Sequence, residues 1–123
     1  VRLGDGRSLV QIQSPRPKII MEKINIFYTT TSNEIVTEKL VQNLLNKKGV
    51  VCVNIIKNVK SFYKEDGMIM ESLESVLLIK TILNKNDLEE FLTEVHPYEI
   101  PFVTEILTGK TNKDYLEWVE KNL

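Results

Sequence analysis

The chain of 123 residues has one cysteine, one histidine and one tryptophan. A single thiol, Cys52, closes no internal disulfide and supplies no Cys-x-x-Cys zinc clip. It points to a reducing compartment, so a cytoplasmic location is expected. No apolar run reaches the roughly 18 residues that a membrane-crossing helix needs. The net charge is -1, and no basic patch is interleaved with aromatics. The usual signature of a nucleic-acid or acidic-membrane partner is therefore missing. Gly-rich phosphate loops, a nucleophile elbow and paired catalytic carboxylates are missing too, so no enzyme class is indicated. What remains is an ordinary single-domain composition, 42% hydrophobic and 27% charged.

The charge is uneven. The segment VRLGDGRSLVQIQSPRPKII carries Arg2, Arg7, Arg16 and Lys18 against Asp5, which leaves the rest mildly acidic. It has neither a continuous apolar stretch nor a small-residue cleavage site, so it does not read as a signal peptide. Residues 1–20 are read as an upstream extension or an expression remnant, and residues 21–123 as the fold.

From Met21 the pattern is clear. KINIFYTT, residues 23–30, reads as a first strand. Thr31 as N-cap with Glu34 three residues on suggests a capping box. Val36, Leu40, Val41, Leu44 and Leu45 then recur at helical spacing until Gly49 stops the helix. VVCVNII, residues 50–56, is an apolar strand. Residues 57–67 read as a charged connection ending in a turn at Asp66-Gly67. MIMESLESVLLIKTIL, residues 68–83, reads as the partner strand of an antiparallel hairpin. Asn84 or Asn86 caps a second helix with Leu88, Phe91, Leu92 and Val95 on one face, ending at His96-Pro97. A fourth strand follows at about 102–108, and Asn112 caps a last helix carrying Tyr115, Trp118 and Val119.

The order β-α-β-β-α-β-α predicts an α+β fold, a ferredoxin-like βαββαβ sandwich with an extra C-terminal helix. Two helices cover one face of such a sheet. The middle strands are too apolar to leave the other face wet, so self-association is the expected cover.

HPYEIPFV, residues 96–103, holds the only histidine and two of the four prolines. Pro97 ends the helix by removing an N–H, and Pro101 redirects the chain into the next strand. Between them, Tyr98 and Glu99 sit on stiff backbone. His96 suits either a helix C-cap, through a carbonyl and the dipole, or a metal or proton. The segment reads as a rigid corner presenting three polar groups.

VVCVNIIKNVKSFYKEDG, VLLIKT, HPYEIPFV and DYLEWV, in this order and spacing, resemble the CutA family of divalent-cation-tolerance proteins, over about Ile24 to Leu123. The resemblance implies a homotrimer with three sheets packed round a threefold axis, and a role in copper or other divalent-cation binding, metal tolerance and homeostasis. Family members usually carry aromatics after the tyrosine of SFYKEDG, often a tryptophan pair. Lys64 and Glu65 stand there in this chain, which thins any apolar wall that Tyr63 helps to build.

On this reading the metal candidates are His96, Glu99 and Cys52. One cysteine and one histidine per chain do not fill a tetrahedral site, so further ligands would come from carboxylates or another subunit. Cys52 also reads as a small buried hydrophobe. Met68 and Met70 could add soft ligands for Cu(I), or simply be core. Candidates for a small-molecule cleft are Tyr63, Lys80, Tyr98 and Trp118, with His96 and Glu99. Lys80 interrupts an apolar strand, where a buried cation needs a partner or snorkels. Tyr115 and Trp118 lie one helical turn apart and pack the last helix onto the sheet or a neighbour. The alternative function is a PII-like signalling or scaffold trimer with inter-subunit clefts. No cofactor is required on either reading.

Overall fold

The computed structural model describes residues 21–123. The reading of residues 1–20 as an extension falls outside them. The elements in order are β1 (Asn25–Thr31), α1 (Glu34–Asn46), β2 (Val50–Glu65), β3 (Met68–Thr81), α2 (Lys85–Val95), β4 (Val103–Ile106) and α3 (Lys113–Asn122). The four strands form one sheet in the order β2-β3-β1-β4, with every neighbouring pair antiparallel. This is the split βαβ arrangement expected from the element order.

Cross-strand partners share a face of a pleated sheet. Phe27 pairs with Ile79 and Thr29 with Leu77. Phe27, Leu77 and Ile79 bury completely with Leu40 and Leu44 of α1 and Leu88 and Leu92 of α2. Each such side chain contributes about 1.5–3 kcal/mol on leaving water. The helix periodicities of α1 and α2 and the strand alternation of β1 thus converge on one core.

The helix starts are held by side chains. Asn33, not Thr31, is the N-cap of α1; its Oδ1 accepts from the Val36 N–H at 3.0 Å. The capping box expected at Thr31 and Glu34 does not form. Thr31 still belongs to β1, opposite Ser75, and its hydroxyl is buried against that of Thr37. Asn84 caps α2 by accepting from the Asp87 N–H at 2.8 Å. Asn112 occupies the N-cap of α3 without a side-chain bond.

The largest departure from expectation is β2. It does not end at Ile56 but runs 16 residues to Glu65, so the supposed charged connection is strand. Two register shifts interrupt it, between Val50 and Cys52 and between Ile56 and Val59. At the second, Lys57 and Asn58 together oppose the one residue between Val76 and Glu74, and Asn58 takes a positive φ of 59°. This is a bulge, and it reverses which sequence positions face which side. Asn54 and Ile56 share a face with Leu78 and Val76; beyond the bulge Val59, Ser61 and Tyr63 join that same face. A fixed period of two fails across the join, which is why the segment did not read as a strand. The hairpin closes on Asp66-Gly67, both with positive φ (50° and 76°), as a two-residue primed turn demands.

β1 pairs with β3 only as far as Ser75. The rest of the β2–β3 hairpin projects beyond the body as a two-stranded arm. Phe62, Met68, Ile69 and Leu73 on it are exposed. The second sheet face carries Ile26, Tyr28, Thr30, Leu78, Lys80 and Ile106, by register. Part of it is covered: Tyr115 of α3 lies beneath the Lys80 ammonium, 5.9 Å from the ring centroid, and Val119 of α3 is fully buried. The third helix therefore supplies some of the cover that the first two cannot.

Candidate ligand-binding site at the proline-braced corner

α2 delivers His96 to the end of β1. The backbone N–H of His96 bonds the Leu92 carbonyl at 2.8 Å and finishes the helix. The imidazole does not cap that helix; it turns to the sheet. Its Nδ1 accepts the Tyr98 N–H at 3.0 Å. That leaves the proton on Nε2, which donates to the Thr30 carbonyl at 3.0 Å and lies 3.1 Å from Thr29 Oγ1. Burial lowers the pKa of His96, and the bond to the Thr30 carbonyl only partly opposes it. The neutral ring is therefore a brace between α2, β1 and the corner, with both nitrogens engaged.

The corner then reaches across the end of β1. Tyr98 Oη donates to Glu74 Oε2 at 2.7 Å. Glu74 is on β3, beside the root of the arm. Burial raises its pKa, but hydrogen bonds from Ser61, Tyr98 and Thr30 outweigh this and hold it below the ordinary carboxylate value. Burial, the bond to Glu74 and the charges of Glu74 and Tyr63 push the Tyr98 phenol far above its usual range. Glu74 thus gathers donors from β1, β2 and the corner. The bulge at Lys57-Asn58 is what brings Ser61 and Tyr63 to this face.

Of the residues singled out in the sequence, His96, Tyr98 and Tyr63 come together here. The rings of His96 and Tyr98 lie 5.1 Å apart. Glu99 is exposed on the same corner. Cys52, Lys80 and Trp118 form a second group. Cys52 pairs with Lys80 across β2 and β3, and Tyr115 stacks 5.7 Å from Trp118. Tyr115 Oη is buried without a hydrogen-bond partner; burial first, then the neighbouring Cys52, raises its pKa. Cys52 is half-buried rather than core. Met68 is exposed on the arm and so outside any core, and Met70 pairs with Tyr63. No group of three or more His, Cys, Asp or Glu side chains suited to a metal ion occurs among the described residues. Within one chain, His96, Glu99 and Cys52 do not build a chelate.

Glu74 escaped the sequence reading. The signal was present in ESLESVLLIK, where Glu74, Val76, Leu78 and Lys80 alternate on one face. Its partners were not readable, because Ser61 reaches it only through the bulge and Tyr98 only through the chain reversal at Pro97.

The fold and this cluster define a small ferredoxin-like domain with a hydrogen-bonded polar corner beside a partly uncovered sheet face. The chain belongs to the family described as CutA1 divalent ion tolerance protein, whose model matches residues 25–122. It is 36% identical over 93 residues to the Protein CutA homolog of Xenopus laevis, covering 75% of this chain and 62% of that protein. It is 35% identical over 104 residues to the divalent-cation tolerance protein CutA of Thermococcus kodakarensis, covering 84% and 98%. The chain thus spans less than two thirds of the first relative and nearly all of the second. The solved structure of the periplasmic divalent cation tolerance protein CutA from Archaeoglobus fulgidus superimposes with a TM-score of 0.72 at 28% identity, over 80% of this chain and 97% of that one. No helix among the described residues is long and apolar enough to cross a membrane.

Proposed function

We propose that this chain works as a homotrimer that binds divalent cations, copper foremost, in metal tolerance and homeostasis. The observation that carries the reading is the join of two features at one place. The hydrogen-bonded corner of His96, Tyr98 and Glu74 sits at the root of the projecting arm, beside exposed Ile56 and on the face that carries Tyr63 and Met70 further along the arm. Copies of the chain covering that surface would put ligand groups from several subunits at the seam. Glu99, Cys52 and His96 of one chain form no chelate, so a metal site at the seam would need ligands from other copies. The name of the family and of its relatives supports the cation. The free thiol of Cys52 suits a cytoplasmic setting.

Native mass spectrometry should give three times the chain mass. Copper and zinc titrations of wild type, Cys52→Ser, Glu99→Gln and His96→Ala should then separate a specific site from weak general uptake. Equal, weak binding by all four removes the metal site.

A second reading is a PII-like signalling or scaffold trimer holding a small molecule in the same seam. The corner itself favours it. Tyr98 and Tyr63 offer aromatic surface, and Tyr98 Oη, already donating to Glu74, presents an acceptor. That suits an organic ligand with N–H or O–H groups better than a bare cation. Lys80 and Trp118 would complete it from the second group. A trimer that binds no metal above background yet shows saturable shifts with small organic ligands would favour this reading.

A further inference from the structure

A second cleft lies on the helical side of the sheet, between the end of α1 and α2. Its volume is about 570 Å³. The end of α1 and its turn form one wall, and α2 the other. The floor is apolar: Ile82, Leu83 and the half-buried ring of Phe91.

The back of this cleft is fixed by hydrogen bonds. The Gly49 carbonyl accepts from the Ile82 N–H at 2.9 Å and from Thr81 Oγ1 at 2.7 Å. The Leu83 N–H donates to Thr81 Oγ1 at 2.9 Å, and Asn25 Nδ2 donates to the Leu83 carbonyl at 2.9 Å. Gly49 has a φ of 101°, and an added Cβ would meet Leu83 Cδ2 at 2.8 Å. Glycine is thus required for the turn to lie flat against the floor.

The charges are arranged by sign. Lys47 and Lys48 stand on the α1 side, and Asp87, Glu90 and Glu94 on α2. None of these five takes part in the ion pairs Lys57–Glu34, Lys60–Glu71 or Lys85–Glu89. Lys47 Nζ instead sits 5.4 Å from the Phe91 ring centroid. Two cations and three anions therefore face each other over an apolar floor without closing on one another. A ligand with separated charges of both signs and an apolar group satisfies that pattern at once, and a lone cation or anion does not.

We propose that this cleft binds a small zwitterion with an apolar side chain, of the α-amino-acid class. The carboxylate lies toward Lys47 and Lys48, the ammonium toward Glu90 and Glu94, and the side chain on Phe91 and Leu83. Because the cleft is on the helical side, it stays open when copies cover the second sheet face.

The test is a titration of the 123-residue chain with L-phenylalanine, followed by backbone amide shifts. N-acetyl-L-phenylalanine and L-phenylalanine amide serve as single-charge controls. Saturable shifts at Gly49, Leu83 and residues 87–94 are expected for the zwitterion, with each control about two- to fivefold weaker, as for an exposed ion pair. Lys48→Glu and Glu94→Lys, both surface changes that leave the core intact, should weaken it to a similar degree. Absence of saturable shifts overturns the proposal, as does equal response to all three compounds or insensitivity to both substitutions. Loss of copper binding or of trimer formation has no bearing on any of these readouts.

Discussion

The two faces of the sheet are built from similar residues and end in different states. On the helical face, Phe27, Leu77 and Ile79 are 0% exposed, sealed by four leucines of α1 and α2. On the other face and the arm, Ile56 is 50% exposed and Tyr63 44%, although both sit in strand. The difference lies in cover. The first face has two amphipathic helices; the second has α3 over part of its area and a polar knot at Glu74. A side chain on the first face acts on folding, and one on the second is left to act on association or binding.

The largest effect expected is on the sealed face. Leu77→Ala should destabilise by about 2–5 kcal/mol, because it removes burial and leaves a cavity. Ile56→Ala should cost far less in folding. Denaturant melts of the two variants check this, and equal losses would erase the distinction between the faces.

Next is association. Ile56→Lys places a charge on the uncovered face and should shift the mass in native spectra toward the single chain while leaving secondary structure intact. An unchanged assembly would mean that this face is not where copies meet.

The polar knot should give an intermediate effect. Tyr98→Phe removes a hydrogen bond to a charged acceptor and should cost about 1–3 kcal/mol. Glu74 has a folded pKa below its unfolded one, so its contribution is present above the unfolded value and is lost as pH falls through the folded one. The gap between wild type and Tyr98→Phe should therefore shrink in acid. His96 also has a folded pKa below its ordinary value. The neutral brace is complete above the unfolded histidine pKa, and stability falls as pH drops from there through the folded value. His96→Gln should flatten that part of the stability profile.

The smallest effect is at the mouth of the arm. Lys57 and Glu34 approach to 2.6 Å, but both are well exposed. Lys57→Ala should leave the melting midpoint unchanged within error, as for most surface pairs.

Much of this was legible in the chain. Leu40, Leu44, Leu88 and Leu92 announced the helices and their buried faces, because helical periodicity is local. Pro97 and Pro101 announced the corner. The length of β2 was not legible, because Asn58 at positive φ changes the alternation within one strand. The true cap at Asn33 was missed because Thr31, two residues earlier, is equally good chemistry, and only pairing with Ser75 keeps it in the sheet. His96 read as a helix cap or a ligand; its bonds to Thr29, Thr30 and Tyr98 depend on where α2 lies against β1.

Local patterning was enough to set the order of elements, the composition of the core and the stiff corner after α2. These follow from periodicity and backbone restriction, which act over a few residues. Which polar groups meet was settled only by long-range packing. Glu74 finds Tyr98 at 24 positions' distance, and His96 finds Thr29 at 67. Such contacts depend on strand register and helix placement, fixed only when the whole core closes.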